Sequence, residues 1–153
     1  MILIGYRTSL MEEYRQIENL IYTYAELIDN GDLIGVSKLF KNAEISAPAF
    51  SSNQIGSEEI LKMYQSSCRI YDETKNPCTK HLTTNVIIEI NEERDSASAR
   101  SYFTVIQAVK DFPLQPIISG RYHDSFKKLA KSWEFKKRIM HVDLMGDCSF
   151  HLL

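Results

Sequence analysis

The sequence predicts an α+β fold in which N-terminal helices pack into the concave face of a strongly curved antiparallel sheet. Three observations carry this. Apolar residues recur at three- and four-residue steps near the start of the chain, as they do along one face of a helix. Stretches rich in β-branched residues, separated by short polar turns, fill the second half. Helices first and strands afterwards favours segregated layers, with neighbouring strands paired as a meander. At 153 residues the chain fits one domain, 1–153, able to bury roughly 70% of its unfolded surface without disulfide or metal staples.

Ser9 followed by Glu12 reads as a capping box, and Leu10, Tyr14, Ile17, Ile21, Tyr24 and Ile28 then form one amphipathic helix. Asn30-Gly31 closes it, since both residues tolerate the left-handed conformation, and Asp32 caps a short second helix through about Phe40. The stretch Ala43 to Ala49, interrupted by Pro48, reads as a short edge strand. Ser57, Glu58 and Glu59 open a third helix running to about Ile70, and Asn76-Pro77 ends the loop after it. Thr79 to Ile90 is a long strand dominated by threonine and β-branched residues. Further strands are predicted at about Ser96–Val109, Ile117–Lys128 and Trp133–Leu144. Their connections are a polar turn at Asn91–Asp95, a looser one at Lys110–Pro116 and a tight one at Leu129–Ser132.

A formal net charge of −2 argues against nucleic acid as a partner, because phosphate binding needs a clustered basic surface. The one basic cluster, Lys127, Lys128, Lys131, Lys136, Lys137 and Arg138, reads as an exposed hairpin kept soluble by lysine. Cys68, Cys78 and Cys148 are odd in number and lack zinc or redox spacing, so free thiols in a reducing cytoplasm are expected. Met1 to Gly5 lacks the pattern of a signal peptide, and no stretch suits a membrane span. Apolar residues at both parities in Val86-Ile87-Ile88 and Phe103-Thr104-Val105-Ile106 ask for cover on both sheet faces, which predicts a homodimer or higher homo-oligomer through the outer face. The apolar tail, Gly146 to Leu153, should pack against the mouth of a cavity or a neighbouring subunit.

Four segments together resemble the SnoaL-like branch of the NTF2-like, cone-shaped α+β superfamily. They are Tyr24 to Asp32, His81 to Asn85, Ser119-Gly120-Arg121-Tyr122-His123-Asp124, and Trp133 with Arg138. Scytalone dehydratase and the bile-acid 7α-dehydratases are the members most similar at the active-site positions. The resemblance implies an aspartate at the end of the first helix, Asp29, a histidine at the start of the long strand, His81, and a tyrosine, Tyr24, as catalytic residues. It also turns His81 and Thr83, with Asn85, toward the cavity, and Gly120, Tyr122 and Asp124 inward on their own strand. The strand after His81 departs from the pattern. It offers only Thr104 among Phe103, Val105 and Ile106, where those enzymes place another polar catalytic group.

These residues suit acid/base chemistry. Histidine titrates near a pKa of about 6.5 and serves as a base when a carboxylate fixes its tautomer. Tyr24 and Tyr122, with Tyr102 as a weaker candidate, would hydrogen-bond a substrate carbonyl as an enolate develops, and Arg121 and Arg138 are candidate clamps for a substrate carboxylate. No cofactor is called for. The chain has no dinucleotide loop, Walker pattern, nucleophile elbow or paired-histidine metal motif, and His123, His141 and His151 lie too far from His81 in sequence to argue a metal site. The expectation is a lyase or isomerase of dehydratase type acting on a small cyclic or polyketide-like molecule. The alternative is a non-catalytic ligand-binding or assembly domain, with His81 and Asp29 as a structural pair.

Overall fold

The computed structural model of the chain describes the backbone of residues 2–130 and 132–153 and, within them, the side chains from residue 10 onward. Helix α1 runs Ile2–Asp29. It passes through Ser9, so Ser9 and Glu12 lie within the helix and do not cap it; an interior serine costs a helix only a few tenths of a kcal/mol, too little to stop one. Ile17, Ile21, Tyr24 and Ile28 are buried along one stripe, while Tyr14 lies at its exposed margin. The end is a Schellman motif: Asp32 N–H donates to Leu27 O, Gly31 N–H to Ile28 O, and Gly31 has φ +74°. Helix α2, Leu33–Leu39, is capped by Asp32, whose carboxylate accepts from Gly35 N–H at 2.7 Å.

Strand β1 is Glu44–Ala47, followed by a 3₁₀ turn at Pro48–Phe50 and a strand absent from the sequence reading, β2, Ser52–Ile55. β1 is therefore interior to the sheet, pairing antiparallel with β2 and parallel with the last strand, and β2 takes the edge. Helix α3, Gly56–Ser67, stops earlier than predicted because Cys68 turns to pair with Leu152 of the tail. The meander follows as β3 Thr79–Ile90, β4 Ser96–Val109, β5 Phe112–Leu129 and β6 Ser132–Met145, giving the mixed sheet order β2-β1-β6-β5-β4-β3. Strand β5 begins at Phe112, so Lys110–Pro116 is not a loop. The turn is tight at Asp111, φ +64°, and register shifts on β4 beside Pro113 and Pro116 spare those residues a ladder bond they cannot donate.

These irregularities also bend the sheet. On β3 the register slips between Thr84 and Ile87, with Asn85 at φ +54°. The slip resets the alternation: His81 and Thr83 face inward as expected, Asn85 is exposed, and Val86, Ile88 and Ile90 take over the inner face. A second slip lies between Ser119 and Gly120, where the strands come so close that a Cβ on Gly120 would sit 1.9 Å from His141 O.

The concave face closes on α1 and α2. Phe40 stacks on Phe135 with centroids 4.4 Å apart, and Phe126 packs on the same ring at 4.8 Å. At the far end Glu13 ties α1 to the sheet through Arg94 and Lys128, which takes Lys128 out of the predicted solvated lysine face. Arg138 leaves that face altogether, being fully buried. Among the described residues no helix is long and apolar enough to cross a membrane.

Candidate functional site

The end of α1 and the start of β3 meet at Asp29. Its Oδ1 accepts from Thr79 Oγ1 at 2.8 Å and from His81 Nδ1 at 2.6 Å, and its Oδ2 accepts from His81 N–H at 2.8 Å. Both side chains are more than nine-tenths buried. Burial alone would raise the Asp29 carboxyl; the His81 ring and backbone and the Thr79 hydroxyl outweigh it and hold the group below its ordinary value. An ionised carboxylate only accepts, so Nδ1 of a neutral His81 must carry the proton and Nε2 is left with a free lone pair.

His81 belongs to the wall of a largely apolar cavity of about 350 Å³, near the lower end of the range of about 300–1,000 Å³ usual for ligand sites. Asp29 stands behind His81 and outside that wall. Ile28, Phe103, Val105 and Met140 supply much of the apolar surface, and the described lining residues include no Asp, Glu, Lys or Arg. Polar groups enter at a few points. Tyr24 packs edge-on against His81 with centroids 6.1 Å apart and shares a 3.0 Å hydrogen bond with Tyr64 of α3. Tyr122 stacks on Phe103 at 4.4 Å and meets Tyr24 edge-on at 6.0 Å. Burial pushes all three phenols up, against the opposing charge of Arg138, so each is a neutral donor at neutral pH.

Arg138 is behind the tyrosines and is not a wall residue. Its guanidinium donates to both oxygens of Asp124, from Nε at 2.8 Å and Nη2 at 2.7 Å, and lies 4.0 Å from the Tyr122 ring centroid and 4.5 Å from that of Tyr24. It is therefore a support for the cavity tyrosines, and its carboxylate partner is already in the chain. Tyr102 and Arg121 are not in the cavity either. They oppose each other across β4 and β5 on the convex face, where Tyr102 is 53% exposed and Arg121 binds Asp143 through Nε and Nη2. Strand alternation accounts for both: the inward neighbours are Phe103 and Tyr122.

Three further groups join the site. Thr79 and Tyr64 were visible only as ordinary members of their strand and helix. His151 arrives with the tail, which closes one side of the cavity with Leu152 and Leu153. Cys68 lies in the same wall, and burial pushes its thiol up to about 11, which leaves it unreactive. Among the described residues no group of three or more His, Cys, Asp or Glu is placed to hold a metal ion.

A curved mixed sheet wrapped on N-terminal helices is an α+β fold of the NTF2-like type, and here it encloses the cavity at which His81 stands. The chain belongs to the SnoaL-like domain family, whose model matches residues 9–139. Among solved structures it is similar to an NTF2-like protein with a cystatin-like fold from Novosphingobium aromaticivorans, at TM-score 0.79 and 19% identity over 97% of this chain and 93% of that one. It is also similar to a protein provisionally assigned as a scytalone dehydratase from the same organism, at TM-score 0.72 and 24% identity over 92% and 91%. A protein of unknown function from Mycobacterium tuberculosis aligns at TM-score 0.71 and 21% identity over 89% and 75%. No curated protein matches the chain in sequence. At these identities the solved structures establish the fold, a fold that hosts many chemistries.

Proposed function

We propose that the chain is a cofactor-independent lyase or isomerase that removes a proton next to a carbonyl of a small, neutral, cyclic molecule. The observation that supports this best is the His81–Asp29 pair, desolvated and facing an apolar cavity. His81 Nε2 takes the proton from the carbon, and Asp29 stabilises the imidazolium that forms. The electron pair left behind moves into the carbonyl, whose oxygen accepts a hydrogen bond from Tyr24 or Tyr122 as it becomes an enolate. Collapse of the enolate either expels a β-hydroxyl, which leaves as water with the proton from His81, or the same proton returns to another carbon and the double bond shifts. The relative provisionally assigned as a scytalone dehydratase fits this class. The three free cysteines suit a reducing cytoplasm, and we read the chain as one SnoaL-like domain over 1–153.

The test needs no natural substrate. Deuterium uptake at the α-carbon of cyclic ketones, followed by NMR, reads proton abstraction directly. His81→Ala should slow it by roughly 10²- to 10⁴-fold, the usual worth of a positioned base. Asp29→Asn should slow it with the fold retained, since the amide leaves the imidazole tautomer unfixed. Exchange indifferent to His81 would remove the enzyme reading. The second reading, a ligand-binding or assembly domain, is favoured by the apolar cavity face of β4, where Phe103 and Val105 stand. Ketone binding without catalysed exchange would establish it.

A homodimer through the convex face is part of the same proposal. Leu82, Ile87 and Tyr102 are exposed there beside the Arg121–Asp143 pair, an apolar surface with a polar rim.

A further inference from the structure

The C-terminal tail is fastened at many points. Leu152 bridges to Cys68, Arg69 N–H donates to His151 O at 2.8 Å, and Leu153 N–H donates to Ser67 O at 3.1 Å. Phe150 O accepts from both Tyr71 Oη at 2.6 Å and Gln107 Nε2 at 3.1 Å, while the Phe150 ring packs on Phe112 at 4.7 Å. So much backbone anchoring fixes where the one polar side chain between Phe150 and Leu152 must go. That side chain is His151, which enters the cavity wall shared with His81.

Its hydrogen-bonding capacity is unused. Nδ1 is sealed in the packing with no partner, and Nε2, which is not sealed in this way, has no bond from a described group. Polar side-chain atoms at such sites are paired in the large majority of cases, and the ring nitrogen left accessible in the cavity wall, Nε2, is the one an occupant can bond. Burial and the neighbouring His81 imidazole push the His151 ring down to about 4, against the opposite pull of Asp29, so it is neutral at neutral pH. A neutral imidazole offers one donor and one acceptor.

We propose that His151, held in the cavity wall by the docked tail, hydrogen-bonds a neutral oxygen of the bound ligand, a carbonyl or hydroxyl, as a specificity-determining partner to His81. This rests on the cavity being a ligand site. The tail then does more than close the cavity: it selects ligands that carry an oxygen on the side facing it. With no Asp, Glu, Lys or Arg among the described lining residues and most of the wall apolar, the ligand chemistry is that of a neutral ring compound and not of a carboxylate or phosphate.

Prodan, a neutral naphthyl ketone, and naphthalene, the same ring system without the carbonyl, are the probes. Binding is measured by fluorescence on the wild-type chain and on His151→Phe, which keeps a ring but no hydrogen bond, and His151→Gln, which keeps a donor and an acceptor. His151→Phe should weaken Prodan roughly 3- to 10-fold, the worth of one neutral hydrogen bond, leave naphthalene unchanged, and be largely rescued by His151→Gln. In the unmutated protein the His151 ring nitrogen resonances should move on adding Prodan and stay in place on adding naphthalene, which keeps the test independent of how the variants fold. Equal weakening of both probes would reduce His151 to packing and overturn the inference, as would a His151 resonance indifferent to Prodan. Prodan that fails to bind the wild-type chain at all would overturn the ligand-site reading with it, whereas binding that ignores His151 overturns this inference alone.

Discussion

Asp124→Asn is the sharpest test of how the cavity is supported. Asp124 and Arg138 form a two-point ion pair with side chains 1% and 0% exposed, boxed in by the rings of Tyr122, Tyr24 and Phe135 at 4.0, 4.5 and 5.0 Å from the guanidinium carbon. Arg138 Nη1 has no partner even with the pair intact. Removing the negative charge strands a guanidinium in a fully buried site, and breaking a buried pair in this way costs about 3–5 kcal/mol. That is a large part of the roughly 5–15 kcal/mol available to a domain. With a urea m-value of about 2 kcal/mol/M, the unfolding midpoint should fall by roughly 2 M, at nearly constant m. The paired replacement Asp124→Leu with Arg138→Met should be far milder, within about 1 kcal/mol of wild type or above it, because it removes both charges and both desolvation costs. Urea curves read by tyrosine and tryptophan fluorescence decide the matter. A loss under about 1 kcal/mol for Asp124→Asn, or a paired variant less stable than the single one, would refute a buried, charge-compensated support.

Two other outcomes follow from the same geometry. The wild-type chain should sediment as a dimer at micromolar concentration and Tyr102→Glu as a monomer, since the charge would fall in the centre of the exposed convex patch; a monomeric wild-type chain would end the dimer reading. Docking of the tail should weaken in mild acid: the buried His151 value of about 4 lies below the free value of about 6.5, so the released tail takes up the proton first. Docking is then at full strength above about pH 6.5 and loses at most about 3 kcal/mol as pH falls to 4, read as faster amide exchange at Arg69 and Leu153 after correction for intrinsic rates, and His151→Phe should flatten the profile.

The parts of the fold legible in the sequence were those fixed by local chemistry. Asn30-Gly31-Asp32 predicts the end of one helix and the cap of the next because left-handed backbone and a short acceptor side chain act within a few residues. The bounds of β3 and β4 follow in the same way from β-branched runs on either side of Asn91, whose Oδ1 accepts from Asp95 and Ser96 N–H. What the sequence hid was nonlocal. The bulge at Asn85 is a sheet-level adjustment, and either parity of Val86-Ile87-Ile88 reads as apolar, so nothing local says which residues turn inward. The strand pairing of β1 with β6, and of Cys68 with Leu152, joins segments far apart in the chain, so β1 reads as an edge and His151 as a remote histidine. Arg138 reads as one of a lysine-rich run until the fold places Asp124 opposite it across β5 and β6.

The distribution of polar groups around the cavity also limits its chemistry. The middle of β4 contributes Phe103 and Val105, a flat apolar floor. Hydrogen-bonding groups come from the other elements instead: His81 from β3, Tyr122 from β5, Tyr24, Tyr64, Ser66 and Ser67 from the helices, Ser52 from β2 and His151 from the tail. Under the proposed reaction, charge developing on a ligand oxygen would be met by neutral phenols and an imidazole, because the guanidinium behind the tyrosines, Arg138, is already neutralised by Asp124. Neutral donors stabilise an enolate less than a cation does. Under the proposed reaction, the substrate would therefore be a carbon acid that is already activated, such as a cyclic β-hydroxyketone, for which a base worth roughly 10²- to 10⁴-fold is sufficient.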